Sequence, residues 1–146
     1  MASKASIEFE KALDHKRIIP FDKGENLLKK ELRAAKDDLE EALDRFKNEK
    51  YKYSTIMSYY SMFHSARALL YSKSYREKSH YYLLVAMQAL FVDKGLISEK
   101  LAKEFHTAMI LRESADYHGE FSKDGAKTSI DSAQNLLTVV KKILQA

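Results

Sequence analysis

The sequence predicts an all-α bundle of about five main helices behind a short helical N-terminal extension. Apolar residues recur at helical spacing along almost the whole chain. Glycine (4 residues) and proline (1 residue) are scarce, so hairpins, β-sandwiches and Gly-rich phosphate loops lack the turn residues they need. The length of 146 residues suits one domain, which buries roughly 70% of its unfolded surface around a single core.

Hydrophobic residues make up 45% of the chain and charged residues 32%, the balance of an ordinary globular protein and not of a disordered one. The chain has no cysteine, which excludes disulfides, zinc–cysteine centres, iron–sulfur clusters and thiol catalysis. No apolar run approaches the ~18 residues of a membrane span and no signal peptide opens the chain, so a cytoplasmic protein is expected. The net charge of +4 allows an anionic partner without demanding one.

Residues 3–17 form the opening segment, with Ile7, Phe9, Ala12 and Leu13 apolar and Pro20 and Gly24 as breakers. Over 25–48, Leu28, Leu32, Ala35, Leu39, Ala42 and Phe46 follow one another at intervals of 4, 3, 4, 3 and 4, one stripe of an amphipathic helix. Its other face carries Glu25–Lys29 and Glu41–Arg45 pairs one turn apart. From 51 to 72 the pattern changes: Tyr53, Ile56, Met57, Tyr60, Phe63, Ala66, Leu69 and Leu70 spread around most of the circumference, which places this helix in the middle of the bundle. A polar connector from Ser72 to Ser79 precedes a strongly apolar helix over 80–92, which Gly95 is placed to stop. Ser98 caps a helix to about 117 with Leu101, Phe105, Ala108, Leu111 and Ala115 inward. Gly119 and Gly125 bracket a loop, and the last helix, over 126–145, turns Ile130, Ala133, Leu137, Val140 and Leu144 to the core.

A bound metal is not expected. A di-iron bundle needs Glu-x-x-His on two helices, and only Glu77 and His80 fit that spacing, at a loop–helix junction. A serine nucleophile elbow, a Walker-type loop and a dinucleotide Gly-rich loop are also missing, so no cofactor is called for. Between Tyr71 and Tyr82, four tyrosines interleave with Lys73, Arg76, Lys78 and His80 against a single acid. Cations for phosphates beside rings for bases suit single-stranded nucleic acid or a nucleotide, while a solvated connector covering the bundle end uses the same residues. Arg67 follows His64 by three residues on the mostly buried central helix and needs a partner, either a carboxylate of a neighbouring helix or a bound anion. Arg112 and Asp116 are spaced for a salt bridge within one helix, and His118 lies in or just past its last turn. A fixed cation near a titratable imidazole also suits metal-free phosphodiester chemistry, the histidine moving protons while the arginine stabilises charge on phosphate.

The run from Tyr59 to Leu70 (YYSMFHSARALL), then Ser79-His80, Phe91-Val92 and Leu111-Arg-Glu-Ser-Ala-Asp-Tyr117 resembles the HEPN superfamily, the higher eukaryotes and prokaryotes nucleotide-binding domain. The similarity covers roughly 27–145 and is strongest to a small stand-alone branch, UPF0332. It divides the chain into an N-terminal extension, 1–20, and a HEPN-like helical domain, 21–146. The resemblance implies a helical bundle that homodimerises, a minimal nucleotidyltransferase as toxin–antitoxin partner, and metal-independent ribonuclease activity through an Arg-x(4–6)-His motif gathered in a dimer cleft. Arg112 and His118, separated by five residues, match that motif as the catalytic pair. Glu113 follows the arginine here, and with Asp116 it supplies two carboxylates that compete for Arg112. Lys73, Arg76, Lys78, His80, His64, Arg67, Asp116 and Tyr117 are the candidates for holding nucleotide or RNA. Three readings remain open at this point: a ribonuclease, a non-catalytic module binding a nucleotide or a partner protein, and a bundle whose dimerisation is its whole role.

Overall fold

The computed structural model describes residues 2–145. Among these residues lie six α-helices, a π-helical turn and one small two-stranded sheet. Helix α1 (Lys4–Asp14) starts where the Ser3 hydroxyl accepts from the Ser6 amide at 2.9 Å, and it buries Phe9 and Ala12. Strand β1 (Ile18–Pro20) leads into helix α2 (Gly24–Lys47), which meets helix α3 (Tyr51–Ser72) along its length. Strand β2 (Tyr75–Glu77) pairs antiparallel with β1, Ile19 opposite Arg76. Helix α4 (His80–Met87) runs into a π-helical turn over Gln88–Val92, and helices α5 (Glu99–His118) and α6 (Lys123–Leu144) close the bundle.

As its multi-faced apolar pattern predicts, α3 is the central helix, packed by α2, α4, α5 and α6. Two of its buried serines bond to the backbone of α2: Ser54 Oγ donates to the Ala42 carbonyl at 2.9 Å and Ser61 Oγ to that of Ala35 at 2.7 Å. Each hydroxyl is satisfied, and each small side chain lets the two helices approach closely.

Four local readings of the sequence change. The connector 72–79 contains a strand, which at three residues has no period to read. Gly24 is not a breaker but the first residue of α2. A Cβ there would lie 2.7 Å from the Tyr71 carbonyl oxygen, so glycine is required by how closely α2 passes the end of α3. Gly125 lies inside α6, because the Ser122 hydroxyl accepts from its amide at 2.9 Å and starts that helix before 126. The helix expected over 80–92 widens to a π turn, since apolar spacing over five residues does not separate the two helix types. The cap at Ser98 stands where the sequence places it, and Gly119, read only as the edge of a loop, ends α5 with φ +64°. Among the described residues no helix is long and apolar enough to cross a membrane.

Candidate functional site

Helix α5 carries Arg112 six residues before its end and turns the guanidinium inward, against α3. The side chain is 13% exposed. Nη2 donates to the Tyr60 hydroxyl at 2.9 Å and to the Asp116 carboxylate at 3.2 Å, with the Tyr117 hydroxyl at 3.5 Å. The rings of Tyr60 and Tyr117 lie 5.3 and 5.2 Å from its central carbon, so the charge rests between two aromatic faces. Nε is buried and has no hydrogen-bond partner among the described residues. The salt bridge to Asp116 expected from the spacing does form, but it is one contact among several. Glu113 is exposed and makes no ion pair or hydrogen bond among the described residues, so only one of the two competing carboxylates reaches the arginine.

His118 is the last residue of α5, exposed, and its side chain makes no hydrogen bond or ion pair among the described residues. Six helical residues displace it from Arg112 by about 9 Å along the axis and about 120° around it. Within one chain the two side chains therefore face different directions.

On the other side of the Tyr59–Tyr60 pair stands His80, the first residue of α4, its helix capped by Ser79. Its ring stacks on Phe63 at 4.6 Å and on Tyr59 at 5.5 Å, and its Nδ1 meets the Tyr59 hydroxyl. Burial, and after it the Arg112 charge, hold the imidazole below the ordinary histidine value. Burial drives the Tyr59 hydroxyl well above the tyrosine range, outweighing the pull of Arg112 in the opposite direction.

Beside His80 an open groove of about 540 Å³ is lined by Ile19, Phe63, Arg67, Arg76, Lys78 and His80, among others. Arg67 has found its carboxylate in Glu77, at 2.5 Å, with its central carbon 4.4 Å from the Phe63 ring centroid. That partner comes from β2 and not from a neighbouring helix. It is also the carboxylate of the lone Glu-x-x-His pair, turned here to a guanidinium. Burial pulls the Arg67 value down, but the hydrogen bond and charge of Glu77 outweigh it and leave the guanidinium firmly protonated. Arg76 lies 5.5 Å from the Phe21 ring, and Lys78 makes no ion pair among the described residues.

Two candidates lie elsewhere. The Lys73 ammonium sits 5.7 Å from the Phe91 ring and does not line the groove. His64 faces α2, its Nδ1 2.6 Å from Glu31 and its Nε2 3.5 Å from Asp38. There it bridges two helices, and burial raises the Asp38 carboxyl despite the imidazole beside it.

The family model of the HEPN domain matches residues 28–143, which include the central helix, α4 and all of α5 with Arg112 and His118. The chain belongs to the HEPN domain family. It is 30% identical over 112 residues to a protein of Methanocaldococcus jannaschii named as a putative toxin, the match covering 76% of this chain and 84% of that one. A UPF0332 protein of Thermotoga maritima is 28% identical over 115 residues, covering 77% and 87%. A second M. jannaschii protein named as a putative toxin is 28% identical over 119 residues, covering 80% and 81%.

In this HEPN protein the segment ahead of the matched region also contributes to the groove, because β1 brings Ile19 to its wall. Tyr59, Tyr60, Phe63 and Glu77 were not singled out as site residues from the sequence. The tyrosine doublet was the visible signal for the first two and the Glu-x-x-His spacing for Glu77; the members of the doublet do opposite things, Tyr60 facing Arg112 and Tyr59 facing His80.

Proposed function

We propose that this HEPN protein is the RNA-acting, toxin-like half of a pair with a minimal nucleotidyltransferase, and that it cleaves RNA without a metal in a cleft between two copies of the chain. The observation that carries this reading is Arg112: a guanidinium drawn in from solvent, held by Tyr60 between two rings, and still retaining a buried Nε–H with no acceptor among the described residues. In the reaction the ribose 2′-oxygen forms a bond to the adjacent phosphorus and the bond from phosphorus to the 5′-oxygen breaks. The 2′-hydroxyl proton goes to a base, and the departing 5′-oxygen takes one from an acid. His118 serves as general acid or base, and Arg112 stabilises the charge that grows on the phosphorane oxygens.

The divergence of Arg112 and His118 within one chain supports the dimer, since a second α5 laid against the first supplies an imidazole from the opposite side. Ile110, Tyr117 and Phe121, each more than half exposed, provide apolar surface for that contact. The toxin names of the two archaeal relatives support the partner reading. We also read residues 1–20 as an extension to a HEPN unit of 21–146, supported by a family match that begins at 28. A second reading, a module that binds nucleotide or a partner protein without catalysis, is favoured by the Arg112–Asp116 pair and by the lack, among the described residues, of a hydrogen bond or ion pair that orients His118.

Incubation of mixed cellular RNA with the protein in EDTA separates the two readings. Cleavage by the wild type that disappears in Arg112→Ala supports the first. An intact RNA pool, or cleavage that requires magnesium, contradicts it.

A further inference from the structure

Tyr59 is fully buried, and among the described residues its hydroxyl has one partner, Nδ1 of His80. A buried phenol needs an acceptor for its hydrogen, and burial keeps that hydrogen on the oxygen. Nδ1 is therefore the acceptor. In a neutral imidazole the remaining hydrogen then sits on Nε2, which makes no hydrogen bond among the described residues. A second proton on the ring would set an Nδ1–H against the tyrosine O–H. Burial opposes it most, and Arg112 of α5 and Arg67 of α3 add to that; Glu77 of β2 and Glu113 of α5 pull the other way, and the sum still favours the neutral ring. His80 itself lines the groove that Arg76 and Lys78 make positive.

We propose that His80 is a neutral hydrogen-bond donor that positions a phosphate oxygen of an RNA strand lying in this groove, and that Tyr59 is the residue that fixes it in that form. The proposal rests on the RNA-directed reading of the site. His80 transfers no proton in it and is a positioning residue. Arg67 contributes little net charge, since Glu77 is bound to it, so the long-range attraction comes from Arg76 and Lys78 and the directional contact from His80.

The test uses the full chain and a 2′-O-methyl RNA oligonucleotide, which binds but offers no 2′-hydroxyl to react. Nitrogen-15 spectra of the imidazoles at neutral pH should show His80 as the Nε2–H tautomer, titrating below the ordinary histidine value. In Tyr59→Phe the tautomers should mix and the titration move up, making oligonucleotide binding tighter at acid pH in that variant alone. His80→Phe, which keeps a ring against Phe63 without a donor, should bind about tenfold more weakly, whereas His80→Gln, which keeps an N–H, should recover part of the loss. A purely structural histidine would not separate those two variants. An Nδ1–H or charged His80 at neutral pH, equal affinity in His80→Phe, or no binding of the oligonucleotide by the wild type overturns the proposal. Natural RNA left uncut while His80 behaves as described contradicts the cleavage reading alone. Cleavage that persists in His80→Phe at unchanged affinity contradicts this proposal alone.

Discussion

Arg112 on α5 and Tyr60 on α3 are joined by a 2.9 Å hydrogen bond from Nη2 to the phenol oxygen, and the same guanidinium lies 5.3 Å from the centre of the Tyr60 ring. One tyrosine therefore supplies both a directional contact and an aromatic face. Tyr60→Phe removes the first and keeps the second. Its expected cost in stability is about 1 kcal/mol, the loss of one hydrogen bond near the surface. RNA cleavage should fall about tenfold, because a charge stabiliser loses its value when it is free to wander. Urea denaturation and a cleavage time course on the same preparations measure the two effects separately.

Arg76 and Lys78 line the groove, whereas the Lys73 ammonium rests by Phe91. Charge reversal at Arg76 and at Lys78 should each flatten the log–log dependence of RNA affinity on salt by about 0.7, the value for one phosphate contact on a single strand. Reversal at Lys73 should leave the slope unchanged. Fluorescence anisotropy titrations across a salt series provide the comparison, and a slope change at Lys73 equal to the other two would return all three to a common basic connector.

The α2–α3 contact yields a test of the fold itself. Gly24→Ala sets a methyl group 2.7 Å from the Tyr71 carbonyl oxygen and 3.0 Å from its Cα, and both of those are backbone atoms that cannot swing aside. The substitution favours a helix on propensity alone, yet it should destabilise by about 1–3 kcal/mol through overcrowding. A denaturation midpoint equal to that of the wild type would show that α2 can shift away from α3 at no cost.

Helix order and the central place of α3 were legible because a stripe of 3.6-residue period, and its spread to all faces, report directly on burial. The HEPN family was legible only through the resemblance of the YYSMFHSARALL run, much of which is core, with Tyr59, Met62, Ala66 and Leu69 all buried. Three-residue strands carry no period, so β1 and β2 were hidden, and with them the wall that Ile19 gives the groove and the carboxylate that Glu77 gives Arg67. The spacing of Arg112 and Asp116 gave their pair correctly. It gave no hint of Tyr60, fifty-two positions earlier, whose contact depends on how α5 crosses α3. His64 and Arg67 are neighbours on one helix, yet they face α2 and β2 respectively, a separation that only the packing of α3 decides.

The central claim is that Arg112 and His118 act together on RNA. Its most direct test is single-turnover cleavage of a short RNA in EDTA by the wild type, Arg112→Ala and His118→Ala, with product ends identified and folding checked by circular dichroism. The account predicts a 2′,3′-cyclic phosphate and a 5′-hydroxyl from the wild type, with each variant about 10²-fold slower or more and still folded. Cleavage retained by both variants, or restored only by magnesium, would contradict it and leave Arg112 as a tie between α5 and α3.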